Sequence, residues 1–164
     1  MSYNFGRLSV LVVEDTVPMR KLICSVLETM GVGSVHTAEN GQQGYERFCK
    51  ERPDIVITDW HMEPVNGLEL VEKIRGNSDS PNRTVPIVMM TGYSSMPRVS
   101  SARDRGATEF LVKPFSASDL TKRIAHVINK PRDFVELEGY FGPDRRRRAI
   151  ENYSGPLRRA TDLI

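Results

Sequence analysis

The strongest constraint on the fold is a run of six residues near the amino terminus, Leu8-Ser9-Val10-Leu11-Val12-Val13, which stops abruptly at two acids, Glu14 and Asp15. A short β-branched apolar run with no polar alternation fits a central parallel strand covered on both faces. Ser34–Ala38 can form a second strand, and similar apolar runs recur at Asp54–Thr58, Val85–Met90 and Phe110–Val112. Amphipathic segments separate them. Pro18 suits a first helical turn, after which Leu22, Ile23, Val26, Leu27 and Met30 recur at helical spacing up to Gly31.

A second helix is expected over 41–49 with Tyr45 and Phe48 inward, and a third over 68–75. The polar stretch 76–84 then reads as a mobile loop. A weak helix is expected near 97–105. A final helix carries a stripe of Leu120, Ile124, Val127 and Ile128, capped by Ser116 or Ser118. Five strands alternating with five helices imply an α/β, doubly wound (βα)5 domain with right-handed crossovers. In such sheets ligands bind beyond the carboxyl ends of the strands, where Asp15, Asp59, Thr91 and Lys113 all fall.

Those strand ends describe a chemistry. Glu14, Asp15 and Asp59 would bring three carboxylates together, a repulsive set unless a hard cation such as Mg2+ neutralises it. Lys113 adds a point charge and Thr91 a hydroxyl donor, the pair that a phosphoryl oxygen needs. An aspartate can act as the nucleophile and become an aspartyl phosphate. Gly92 leaves space beside the reacting group, and Gly67 allows a sharp turn after Asp59. Taken singly, each residue reads as a turn former, a cap or a surface charge; their joint placement on four strand ends carries the inference.

Glu14-Asp15, the run Asp59-Trp60-His61-Met62-Glu63-Pro64-Val65-Asn66-Gly67, Thr91-Gly92 and Lys113-Pro114-Phe115 resemble the receiver signature of response regulators over roughly residues 7–130. The resemblance implies a flavodoxin-like strand order 2-1-3-4-5 and a non-enzymatic phosphoacceptor. Asp59 would accept a phosphoryl group from a sensor histidine kinase or phosphotransfer protein. Asp15 and Asp59 would ligate Mg2+, with Glu14 acting through water and the His61 carbonyl as a further ligand. Thr91 and Lys113 would bind phosphoryl oxygens, the Lys113–Pro114 peptide would be cis, and Phe110 would be a switch aromatic. His61 and Tyr93 match positions that control water access to the acyl phosphate, and their bulk predicts a long phosphorylated lifetime.

Residues 131–164 form a C-terminal extension, too short for a standard output domain. It holds seven of the seventeen arginines and none of the six lysines. Aromatics from Phe134 to Phe141 precede Arg145, Arg146, Arg147 and Arg148, and guanidinium planes stack on bases and fork onto phosphates. Arg159 and Asp162 form an RxxD spacing. A receiver with such a tail resembles single-domain regulators that bind cyclic di-GMP and act at the flagellar motor switch. The alternative is a stand-alone phosphorelay receiver whose tail docks a protein partner.

Other classes fit less well. An Asp-nucleophile phosphatase of the haloacid-dehalogenase type needs an acid two residues beyond the nucleophile, where His61 stands. A flavin phosphate would meet acids at the sheet mouth and no glycine-rich loop. With 23 basic against 21 acidic residues, general attraction to nucleic acid is not expected. No leader or bilayer-length apolar span is evident, which suggests a cytoplasmic protein without membrane insertion. Cys24 and Cys49 read as small buried residues, and no zinc-ligand spacing is present.

Overall fold

In the computed structural model the described residues are 5–92, 103, 105–131, 133–137 and 140–143. Strands β1 (Ser9–Val13), β2 (Ser34–Ala38), β3 (Ile55–Asp59), β4 (Ile87–Thr91) and β5 (Glu109–Val112) form one parallel sheet in the order 2-1-3-4-5. Helices α1 (Val17–Thr29), α2 (Gly41–Glu51), α3 (Gly67–Gly76) and α4 (Ala117–Asn129) cover it. Within β1, Leu11 and Val13 join a core with Phe48 of α2 and Leu70 and Ile74 of α3. Val10 and Val12 face the opposite layer, with Ile23 and Leu27 of α1 and Leu120, Ile124 and Val127 of α4. A strand covered on both sides has no face for polar residues, hence its unbroken apolar run.

Side chains fix where the helices begin. Asn40 Oδ1 accepts from the Gln43 amide at 3.0 Å. Asn66 and Glu69 form a capping box at α3, as do Ser116 and Asp119 at α4, each such cap being worth about 1 kcal/mol. Of the two expected caps for the last helix, Ser116 is the one used.

Several expectations need correction. Leu22, placed in the apolar stripe of α1, is 50% exposed, and Ile128 of α4 is 38% exposed. Only Ile23 and Leu27 of α1 are buried, since the helix meets the sheet along a narrower seam than its apolar residues suggest. Cys24 and Cys49 are half-buried, not buried. The stretch 76–84 is tied to its surroundings: the Tyr45 hydroxyl donates to Asp79 Oδ1 at 2.6 Å, and Arg83 Nε donates to the Arg75 carbonyl at 2.6 Å. The helix expected near 97–105 lies outside the described residues except for Arg103 and Arg105. No helix among the described residues is long and apolar enough to cross a membrane.

The extension departs most from expectation. Strands β6 (Phe134–Leu137) and β7 (Tyr140–Pro143) pair as an antiparallel hairpin that packs on the end of α3. Gly139 between two short segments rich in aromatic and aliphatic residues was the available hairpin signal in the sequence. Arg145 to Arg148, Arg159 and Asp162 lie outside the described residues.

Candidate functional site

The parallel register sets Val13 beside Thr58, Asp59 beside Met90, and Thr91 beside Val112. The strands therefore end together, and the residues following them share one rim. Glu14, Asp15 and Asp59 each offer a carboxylate oxygen, all within 4.8 Å of one another. Glu14 is fully buried, Asp59 is 9% exposed, and Asp15 faces solvent.

Lys113 is the cation set against this group. Its Nζ lies 3.3 Å from Asp59 Oδ2 and 3.5 Å from Glu14 Oε2. One ammonium does not balance three carboxylates. Burial raises the Glu14 pKa above the ordinary 4.5, and the Asp59 charge raises it further; the Thr16 hydroxyl bond and Lys113 pull the other way.

Thr91 ends β4 and is buried, and its carbonyl accepts from the Lys113 amide at 2.7 Å, joining the two strand ends. The Lys113–Pro114 peptide is cis, and so is Glu63–Pro64, which the sequence did not suggest. His61 is exposed and lines a cavity of about 600 Å3 with Asp15, Glu63 and Glu69. Phe110 is half-buried at a second cavity of similar volume, shared with Lys113, Arg123 and His126. Tyr93 lies outside the described residues.

Sequence reasoning missed the groups that hold the acids in place. Thr16 donates to Glu14 Oε1 from its hydroxyl at 2.8 Å and its amide at 3.3 Å, while Arg20 Nη1 donates to the Glu14 carbonyl at 2.8 Å. The Trp60 amide donates to Asp59 Oδ1 at 2.8 Å. A hydroxyl residue two positions beyond a strand-end acid was the available signal for Thr16. Gly67 opens α3 with its amide on the Trp60 carbonyl at 2.9 Å, and a Cβ there would overlap the Asp59 carbonyl oxygen. Close approach of backbone to Asp59 therefore explains this glycine better than a sharp turn does. Among the described residues a Cβ on Gly92 would meet nothing within 4 Å, which leaves space beside Thr91.

The donor set suits a hard divalent cation. It offers carboxylate oxygens only, two of them little exposed and undercompensated, with Asp15 at the solvent side.

Residues 10–125 match the family model described as response regulator receiver domain. The chain belongs to that family. Chemotaxis protein CheY1 of Helicobacter pylori is 34% identical over 122 residues, which cover 74% of this chain and 97% of that protein. The transcriptional regulatory protein PdtaR of Mycobacterium tuberculosis is 35% identical over 130 residues, 79% of this chain and 61% of that one. Among solved structures, chemotaxis protein CheY4 of Vibrio cholerae superposes with a TM-score of 0.68 at 31% identity, covering 74% of this chain and 98% of that one. The receiver is thus a CheY-like response regulator of two-component signalling, a class of phosphoacceptor proteins that bind Mg2+ at an acidic pocket and interact with histidine kinases or phosphotransfer proteins.

Proposed function

We propose that Asp59 is the phosphoacceptor of this receiver and that Glu14, Asp15 and Asp59 are the side chains that hold Mg2+, with the His61 backbone carbonyl as a further ligand. The observation that carries this reading is the three-carboxylate cluster with Lys113 Nζ at 3.3 Å from Asp59. When bound, the cation supplies positive charge for the oxygens of the transferring group. The protein's own groups do the rest.

Trp60 holds one Asp59 oxygen through its amide, which orients the carboxylate. The Asp59–phosphorus bond forms as the bond from phosphorus to the donor's nitrogen or oxygen breaks, its electron pair leaving with the donor. Lys113 then exchanges its carboxylate contact for a phosphoryl oxygen, and the Thr91 hydroxyl donates to another. Output follows through protein contacts. Incubation with acetyl phosphate and Mg2+ should give an acid-stable, base-labile adduct that Asp59→Ala abolishes. Absence of an adduct on the unmodified chain would overturn the assignment.

A second reading concerns the extension: cyclic di-GMP bound by Arg145 to Arg148 with Arg159 and Asp162, in a regulator acting at the flagellar motor switch. Its support is the arginine-for-lysine bias of the tail and the chemotaxis role in the names of relatives. The hairpin weakens one part of it, because one face of Phe134 is taken by Arg75 and one face of Phe141 by Arg83. Saturable binding that is lost on truncation after Pro143 supports this reading. Binding absent from the full chain rejects it in favour of a tail that docks protein alone.

A further inference from the structure

Arg75, at the end of α3, is 3% exposed, and among the described residues none of its hydrogen-bond acceptors is a carboxylate. Burial lowers its pKa to about 9, so it stays cationic at neutral pH. A buried cation without a counter-ion needs full hydrogen bonding and a polarisable cover. Its guanidinium donates to the Gly106 carbonyl at 3.0 Å, the Arg83 carbonyl at 2.8 Å and Thr108 Oγ1 at 3.3 Å. The cover comes from the hairpin: the Phe134 ring lies 4.9 Å from the Arg75 guanidinium carbon, and the Phe141 ring 4.0 Å from that of Arg83.

The two segments also meet through glycines. Gly142 and Pro143 are buried, and a Cβ on Gly142 would come within 3.1 Å of Gly106 Cα. A Cβ on Gly106, at φ +112°, would press on Arg75 Cγ at 2.9 Å. Thr108 carries the contact inward, since its hydroxyl accepts from the Ile87 amide at 3.0 Å and its own amide donates to the Ile87 carbonyl at 2.9 Å. Ile87 begins β4, which ends in Thr91, and Thr108 directly precedes β5, which leads into Lys113. At about 3.3 Å per residue, β4 spans roughly 13 Å and the shorter β5 roughly 10 Å.

We infer that the hairpin is a strap, built into the receiver rather than appended to it, that fixes the base of β4 and β5 and is thereby linked to events at Asp59. The link to Asp59 rests on the phosphoacceptor reading above; the strap itself does not. Arg145 follows the buried Pro143 by two residues, so a ligand of the arginine run would bind within two residues of the strap. Coupling between two sites is reciprocal, so a ligand at either end changes the stability of the other.

Native-state hydrogen exchange on the full chain tests both parts. Phe134→Leu combined with Phe141→Leu keeps the apolar volume and removes the ring faces; Arg75→Lys keeps the charge and removes the fork. Each should speed exchange of the hairpin amides by about tenfold and, together with them, that of the Ile87 and Thr108 amides. Faster hairpin exchange with Ile87 and Thr108 unmoved overturns the strap, and so does a hairpin whose exchange neither variant alters. In the unmodified chain, beryllofluoride with Mg2+ should change hairpin exchange by about fivefold, the low end for coupled sites. If the Trp60 amide responds and the hairpin does not, the link is refuted while the phosphoacceptor reading stands. If neither responds, the phosphoacceptor reading and the link both fail, and the variants alone decide the strap.

Discussion

Lys113→Met removes the ammonium that two of the three carboxylates share while keeping most of the aliphatic stem. Its contacts of 3.3 Å and 3.5 Å are each worth about 5 kcal/mol by Coulomb's law at an effective dielectric of about 20. That gross figure is offset by the cost of desolvating the lysine, whose side chain retains 22% exposure. Removing one partner from a buried ion cluster costs about 3–5 kcal/mol, and the solvent access puts this case at the low end, about 3 kcal/mol. Urea unfolding in EDTA measures the loss. In saturating Mg2+ a divalent charge replaces the missing one, so the deficit should fall by at least half and the variant should bind Mg2+ more tightly than its parent. Trp60 reports that binding cleanly, being the single tryptophan and donating its amide to Asp59. A loss below about 0.5 kcal/mol in EDTA would refute the electrostatic account. An equal loss with and without Mg2+ would show that cation and lysine do not answer to the same carboxylates.

Three further outcomes follow from the geometry. Gly67→Ala should cost at least about 2 kcal/mol in urea unfolding, because its Cβ meets the Asp59 carbonyl, whereas Gly92→Ala, with open space, should stay within about 0.5 kcal/mol of the parent. The bonds from the Ser116 amide and hydroxyl hold Asp119 below its ordinary pKa of 3.8, so its capping contribution is present above that value and is lost as pH falls through the lowered one. Asp119→Asn should therefore destabilise at neutral pH in urea unfolding, and the difference from the parent should shrink as pH falls below the ordinary carboxylate range. His61→Ala with Tyr93→Ala should shorten the life of the Asp59 adduct in a decay assay; an unchanged rate would show that these side chains do not screen it from water.

Much of the architecture was legible because both-face burial leaves a mark on sequence. The stretches Val10–Val13, Ile55–Ile57 and Ile87–Met90 are unbroken apolar runs without the alternation of a half-exposed strand, and the chemistry-bearing residues follow where those runs stop. Helix faces were less legible. Leu22 and Ile128 keep the helical period yet point outward, since periodicity reports which residues align and not how wide a seam the sheet covers. The groups that orient the acids were invisible for another reason. Trp60 acts through its amide, which any residue but proline would provide, and Gly67 acts by the absence of a Cβ against a distant carbonyl. Nothing local in the sequence marks Arg75 as buried, because its cover comes from a hairpin nearly sixty residues further along the chain.

That last dependence bears on how the extension is dissected. A truncation after Lys130, natural from the sequence because the last helix ends there, removes the rings over Arg75 and Arg83 along with the arginine run. The remaining receiver would carry a buried guanidinium stripped of its cover, beside the Thr108 contact that begins β4 and β5. Loss of ligand binding or of phosphorylation in such a fragment would then follow from damage at the base of the sheet and would say nothing about the arginines. Cutting after Pro143 separates the two effects: it keeps the strap and removes Arg145 to Arg148, so any function lost belongs to the segment itself.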